Sequence, residues 1–190
     1  MTRGVTDPSC TRCRLSRSRT QVVPGKGSWK ARIVFVGEAP GSEEDVRGEP
    51  FVGRAGRLLD EALAEAGVSR DEVFIANLVK CRPPGNRRPR KDEVEACSRF
   101  LKAELERIRP RVVCVLGGTV AGALLGSGEK MSAAVGRVID AEVHGMRVKA
   151  VISYHPAACL YQRKNLTAFK EAIRTSVREA GLGSRRRSPH

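Results

Sequence analysis

No apolar run in this 190-residue chain approaches the roughly 20 residues needed to span a bilayer. The opening MTRGVTDPSC holds no apolar stretch that would serve as a signal sequence. Transmembrane, secreted and collagen-like classes are set aside. Neither GxGxxG nor a Walker A string occurs, and no internal repeat is visible. Aromatic residues make up only 4% and histidine occurs three times. Acidic residues are also few, 21 Asp plus Glu against 35 Lys plus Arg, which gives a net charge of +14 and a pI near 10.2. That balance suits a polyanionic partner, most often nucleic acid. Of the basic residues 26 are Arg, the side chain best shaped for bidentate phosphate contacts. Six cysteines without a secretory signal point to a reducing compartment, where clustered thiolates usually serve metal or redox chemistry.

The length fits one domain, expected over residues 1–182, with GSRRRSPH closing the chain as a disordered basic tail over 183–190. Residues 1–30 are polar, basic and punctuated by Pro24, Gly25 and Gly27, which predicts an irregular arm. RIVFVG, ending at Gly37, reads as a buried parallel strand. The following GEAPGSEEDVRGEPFVG is too rich in Gly and Pro to be regular. Helical spacing returns from Arg54 to Ala66, with Gly67 at the capping position. A strand at Val73–Val79, a basic Pro-broken loop and a helix from about Asp92 to Ile108 come next. RVVCVLGG is a strand, Thr119–Leu125 a short helix, and GRVIDAEVHGMRVKAVISY alternates like a hairpin turning at His144 and Gly145. A last helix runs from about Leu166 to Ala180. Four alternations of strand and helix predict an α/β fold with a doubly wound, mainly parallel sheet and a ligand site beyond the carboxyl ends of its strands.

Cys10, Cys13, Cys81 and Cys97 form CxxC, 67 intervening residues, C, 15 more, C. Four thiolates are what a tetrahedral zinc or a 4Fe-4S cluster requires, and the count does not separate the two. The plain alternative is a lone CxxC with two core cysteines, but Cys81 between Lys80 and Arg82 is a poor core position. Cys114 and Cys159 read as small core residues. Gly37, Glu38, Ala39, Pro40 and Gly41 form a Gly-rich turn after a strand, able to present backbone amides to an anion. Phe51, downstream among polar residues, looks exposed. Asn77, set in FIANLV, must find hydrogen-bond partners or cost roughly 1–3 kcal/mol, and a ligand's polar edge is one such partner. His155 precedes Pro156 at a strand end, where a lone histidine is as often a plain hydrogen-bonded group as a working one.

GEAPGSEEDVRGEPFVGRAGRLL, NLVKCRPPGNRRP and YHPAA, together with the four-cysteine spacing, closely resemble the family-4, iron-sulfur uracil-DNA glycosylases, from Cys10 to about Arg178. The resemblance implies a three-layer α/β/α sandwich with a four-stranded, mainly parallel sheet. It implies a structural 4Fe-4S cluster held by Cys10, Cys13, Cys81 and Cys97, and hydrolysis of the N-glycosidic bond of a flipped-out deoxyuridine in DNA. It further implies that Phe51 stacks on uracil, Asn77 reads its Watson-Crick edge, and Gly37, Glu38 and Ala39 wall the pocket. Glu44 would crowd the C5 edge against thymine's methyl, and His155 would donate to O2 of the departing base. Where better-known relatives carry an Asp for water activation this chain has Ala39, so Glu38 is the expected group, with Asn86 assisting.

On the DNA side, Leu160, with Tyr161, is the candidate wedge for the vacated stack, and Arg163 and Lys164 would grip phosphate. Ala157 stands where many relatives place Ser. The Arg82, Arg87, Arg88, Arg90 and Lys91 group would form a second phosphate clamp, or else a solvated loop. The expected partner is uracil-containing DNA, bound by a monomer in the prokaryotic cytoplasm at the nucleoid, with no membrane contact. A sliding-clamp partner, preference among U:G, U:A and single strands, and source temperature stay open. Two rivals are a relative that captures uracil-DNA without turnover and a zinc-bearing DNA-binding module. The first would carry an inserted basic loop with its own His, which is not seen between Pro89 and Glu95.

Overall fold

The computed structural model describes residues 5–182, so the basic tail expected over 183–190 lies outside the described residues. Among the described residues six strands form one sheet in the order β1-β3-β2-β4-β6-β5: β1 (Lys26–Gly27), β2 (Ile33–Gly37), β3 (Phe74–Asn77), β4 (Val112–Leu116), β5 (Val138–Val143) and β6 (Met146–Ser153). Seven α-helices accompany them: α1 (Ser42–Arg47), α2 (Arg54–Glu65), α3 (Lys91–Ile108), α4 (Gly118–Leu125), α5 (Met131–Ala134), α6 (Pro156–Tyr161) and α7 (Leu166–Glu179).

The four strands expected to run parallel, β3, β2, β4 and β6, do so. The count of four is corrected by two antiparallel edges. On one side β5 pairs back onto β6 through the His144-Gly145 turn, and its outward residues alternate with half-buried ones. On the other, the two residues of β1 pair with β3, so the arm is not irregular throughout. Gly27 makes that pairing feasible: its φ is +132°, and a Cβ there would lie 2.0 Å from the Val73 carbonyl oxygen.

The central strands are buried along their whole length, which is why they read as unbroken β-branched runs. Side-chain alternation sends Ile33, Phe35, Ile75, Val112, Cys114 and Val151 to one face, against Leu59, Ala62 and Leu63 of α2 and Phe169, Ala172, Ile173 and Val177 of α7. Val34, Val36, Phe74, Ala76, Val113 and Val115 point to the other, against Leu101, Leu105 and Ile108 of α3 and Val120 and Ala121 of α4. The result is the three-layer α/β/α arrangement. Fully burying a side chain such as Phe35 or Phe169 is worth about 1.5–3 kcal/mol, so these two apolar layers supply most of the drive to fold. Cys114 and Cys159 are core residues as the sequence suggests.

The end of α2 is set by Gly67 at φ +76°: its amide donates to Ala64 O, and Val68 N donates to Leu63 O, closing the helix with a left-handed residue. From β2 the chain passes to β3 on one side and then crosses to β4 on the other. This divergence opens a crevice at the carboxyl ends of the strands. Among the described residues no helix is long and apolar enough to cross a membrane.

Candidate active site

A cavity of about 330 Å³ lies in that crevice, lined by Glu38, Ala39, Pro40 and Gly41 after β2, by Asn77 at the end of β3, and by His155 after β6. Phe51, Ala55, Pro83, Asn86 and Ala157 complete the wall with Glu44 and Arg87. Its size falls at the small end of ligand clefts. The β2–β3 pairing continues past the strands, with Leu78 N donating to Gly37 O and Val79 N to Glu38 O, and this brings the two loops side by side.

Asn77 is 2% exposed, and its Oδ1 is buried with no hydrogen-bond partner among the described residues. Gly37 lies behind the cavity wall rather than on it. A Cβ there would meet Asn77 Oδ1 at 2.5 Å and the Phe51 ring at 2.5 Å, so only glycine lets both groups close over the strand end. Phe51 is 5% exposed, which corrects its reading as an exposed aromatic: its ring is the packed side of the cavity. The ring centroid stands 5.6 Å from that of His155.

The loop carrying Phe51 is gripped from two directions. Glu44 Oε1 accepts from Val52 N and Gly53 N, both at 2.9 Å, while Oε2 accepts from Gly41 N at 3.1 Å. Glu44 therefore lines the cavity with its carboxylate already engaged by three backbone amides. The segment around it is also regular, since residues 42–47 form α1; the acidic first turn Glu43-Glu44-Asp45 favours that helix despite the flanking Gly and Pro. From the other direction Arg70 donates to the carbonyls of Pro50 and Phe51 and pairs with Asp60 at 2.7 Å. Phe51 has φ +54°, a left-handed conformation unusual for an aromatic residue.

His155 caps α6, its Nδ1 accepting from Ala157 N at 3.2 Å. Burial pushes its pKa down to about 4, against a weaker opposing pull from Glu44. The ring is neutral at physiological pH, and because Nδ1 is an acceptor its one proton sits on Nε2.

Glu38 is half-buried, and its carboxylate takes no hydrogen bond among the described residues. Asn86 is exposed at φ +55°, its Oδ1 accepting from Arg82 Nε at 2.8 Å. Arg87 is half-buried and engaged within the chain: its guanidinium forks onto Glu93, which is fully buried, at 2.8 and 2.6 Å. That pair, with Arg90 N donating to Glu93 at 2.7 Å, caps α3 and holds the Glu93 carboxyl at about 2. Arg82 and Arg87 thus have internal partners, while Arg88, Arg90 and Lys91 are exposed. At the end of α6, Leu160 is half-buried and Tyr161 is 87% exposed, so the tyrosine is the more prominent of the expected wedge pair. Arg163 and Lys164 follow in an exposed helical turn.

The four thiols meet in a third apolar cluster. Cys81 and Cys97 pack with Leu15, Val22, Val79 and Phe100, and Cys10 and Cys13 lie against them. Arg19 donates to Cys81 Sγ at 3.3 Å and to Cys10 O at 2.7 Å, and Lys80 N donates to Cys97 Sγ at 3.3 Å. Burial pushes the Cys81 thiol up, Arg19 pulls it back, and the neighbouring Cys13 and Cys10 push it up again. Burial lifts the Cys97 thiol to about 11. Thiolates here call for a strongly positive centre. Among the described residues no group of His, Cys, Asp or Glu closes on a point as a site for one metal ion. The donor set of four soft ligands, two buried and two half-buried at the edge of one apolar cluster, fits an iron-sulfur group.

Three working residues are not evident in the sequence. Arg70 acts through distant carbonyls, and Gly56, whose Cβ would sit 1.8 Å from Phe51 O, reads only as a weak spot in a helix. Lys80 gives a better signal, a lysine closing the apolar run FIANLV. It is 1% exposed and pairs with equally buried Glu104 at 2.6 Å, while its Nζ also donates to Asn77 O at 3.1 Å.

The family model of the uracil DNA glycosylase superfamily matches residues 24–176. The chain is 48% identical over 158 residues to a type-4 uracil-DNA glycosylase of Archaeoglobus fulgidus, an overlap of 81% of this chain and 79% of that protein. To a type-4 enzyme of Thermotoga maritima it is 47% identical over 157 residues, 82% of this chain and 80% of that one. A type-5 uracil-DNA glycosylase of Pyrobaculum aerophilum is 38% identical over 178 residues, with 84% of this chain and 76% of that protein covered. By its fold, its site and these likenesses, the chain belongs to the uracil DNA glycosylase superfamily and, within it, to the type-4 family.

Proposed function

We propose that this protein excises uracil from DNA, hydrolysing the N-glycosidic bond so that water adds to the sugar, free uracil leaves and an abasic site remains. The observation that carries the reading is the unpartnered Oδ1 of Asn77, buried beside the Phe51 ring in the wall of a small cavity. A buried acceptor without a donor costs about 1–3 kcal/mol, a cost that a ligand N–H removes. Uracil N3–H is such a donor, and the Asn77 amide N–H₂ would then face O4. Cytosine, with an acceptor at N3 and a donor at its 4-position, reverses both contacts.

The target base must leave the duplex to enter a cavity of this kind. Phe51 stacks on it. His155, neutral with its proton on Nε2, donates to O2 as negative charge gathers there, and a preorganised donor of this kind is worth about 3–4 kcal/mol. Glu38, on the cavity wall with a free carboxylate, accepts a proton from the attacking water, and Asn86 orients it through the amide N–H₂ that its bond to Arg82 leaves available. Glu44 shapes the C5 side through the loop it pins.

Uracil-containing DNA would lie across the mouth of the cavity. Tyr161 and Leu160 would fill the vacated stack, with Arg163, Lys164 and Arg88 on phosphates, and Arg87 would work from its pair with Glu93. Cys10, Cys13, Cys81 and Cys97 would hold a 4Fe-4S cluster, which supplies a rigid cross-link between the arm, the loop after β3 and α3. The working unit is a monomer of one domain, acting on prokaryotic DNA in the cytoplasm.

An end-labelled oligonucleotide bearing one uracil, cleaved at abasic sites by alkali, tests the reading. Multiple turnover is expected, with Asn77→Ala and His155→Ala each lowering it by roughly 10²-fold or more. A folded protein that yields no abasic sites, or one that co-migrates with DNA on a denaturing gel, overturns it.

A further inference from the structure

We propose that Arg70 is a positioning residue for the base-stacking ring, holding Phe51 in a left-handed conformation that it would otherwise leave. The proposal rests on the reading of Phe51 as the stacking platform.

Arg70 does not line the cavity, so it acts through other groups. Its Nη1 donates to Phe51 O at 3.0 Å and its Nη2 to Pro50 O, and Nη1 also meets Asp60 Oδ1 at 2.7 Å. The two carbonyls flank the peptide whose φ of +54° sets the direction of the ring. A bulky residue in this region is strained and persists only where its surroundings over-determine it. The surroundings here come from three elements. The Arg70 fork holds the carbonyl side, and Glu44 holds the amides of Val52 and Gly53 on the other. Gly56 of α2 leaves room for the Phe51 carbonyl, which a side chain at that position would strike. Only a planar guanidinium reaches two carbonyls and a carboxylate together, and a lysine ammonium in its place would satisfy one of them at a time. Without the fork, Phe51 relaxes, the ring leaves the cavity wall part of the time, and uracil binds only the fraction that keeps it there.

The test is a double-mutant cycle on the affinity for free uracil, read as product inhibition and by calorimetry, with Arg70→Met, Phe51→Ala and the double variant. Arg70→Met is expected to weaken uracil binding by about fivefold or more while circular dichroism stays native. In the Phe51→Ala background the same substitution is expected to weaken it no further. If Arg70→Met fails to fold, Arg70→Lys, which keeps the charge and the Asp60 pair, decides by the same readout. Wild-type uracil affinity in a folded Arg70 variant, or an equal loss in both backgrounds, overturns the proposal and leaves the stacking role standing. Unchanged uracil affinity in Phe51→Ala removes the stacking role, and the proposal with it.

Discussion

The buried Oδ1 of Asn77 and the edge of the Phe51 ring converge above the α-carbon of Gly37, each 2.5 Å from where a Cβ would stand. Three segments far apart in sequence thereby share one point. Gly37→Ala is expected to displace both groups and to cost about 10²-fold in kcat/KM, the scale of a misplacement of about 1 Å. Steady-state kinetics on a uracil oligonucleotide, with thermal melting to verify folding, checks it. Wild-type kinetics in the folded variant would contradict the packing described.

His155 gives a pH signature. Its folded pKa is about 4 against an ordinary 6.5, so above about 6.5 the ring is neutral in both folded and unfolded chains. As pH falls from 6.5 towards 4 the unfolded chain takes up a proton that the folded site refuses, and stability declines. Activity, as far as His155 sets it, is expected to hold across that window and to fall only as pH nears 4. Burial lowers His144 in the same direction, so the stability measurement compares wild type with His155→Gln by urea melts from pH 4 to 8. A variant whose stability falls with pH as steeply as wild type's would show that His155 is not the group.

Lys80 and Glu104 are each 1% exposed and make a buried ion pair, whose second carboxylate oxygen accepts from Gly25 N at 2.9 Å. Lys80→Met leaves Glu104 without its cation and is expected to cost about 3–5 kcal/mol. The double variant Lys80→Met, Glu104→Leu should recover much of that loss, because both desolvation penalties vanish together. Denaturant melts of the three proteins decide, and a double variant no more stable than Lys80→Met would refute the pairing argument.

For the thiol cluster, chelation under oxidising conditions is expected to bleach visible absorption and lower the melting temperature. Activity measured well below the new melting point should change little, since none of the four cysteines lines the cavity. A proportional loss of activity and colour at low temperature would assign the group a direct part in the chemistry.

Much of the fold is legible because the central strands are buried on both faces and read as runs such as RIVFVG and VVCVL. The edges are less so: β1 is two residues long and depends on what Gly27 permits against Val73. Among site residues, Asn77 announces itself as an amide in an apolar strand. Phe51 misleads, because polar neighbours in sequence say nothing of a loop folded back on α2 by Arg70 and Glu44. Arg87 misleads in the opposite sense: a basic run suggests free charge, yet its partner Glu93 is buried in the first turn of the following helix.

The arm that carries Cys10 and Cys13 precedes its own anchors in the chain. Arg19 waits for Cys81, and Gly25 for Glu104, 62 and 79 residues downstream. In chain order the arm's two thiols are made before the groups that anchor the arm, and the four-thiol cluster is complete only once Cys97 of α3 has been made. Completion of the four-thiol cluster and anchoring of the arm therefore depend on one later stretch of chain, residues 81–104.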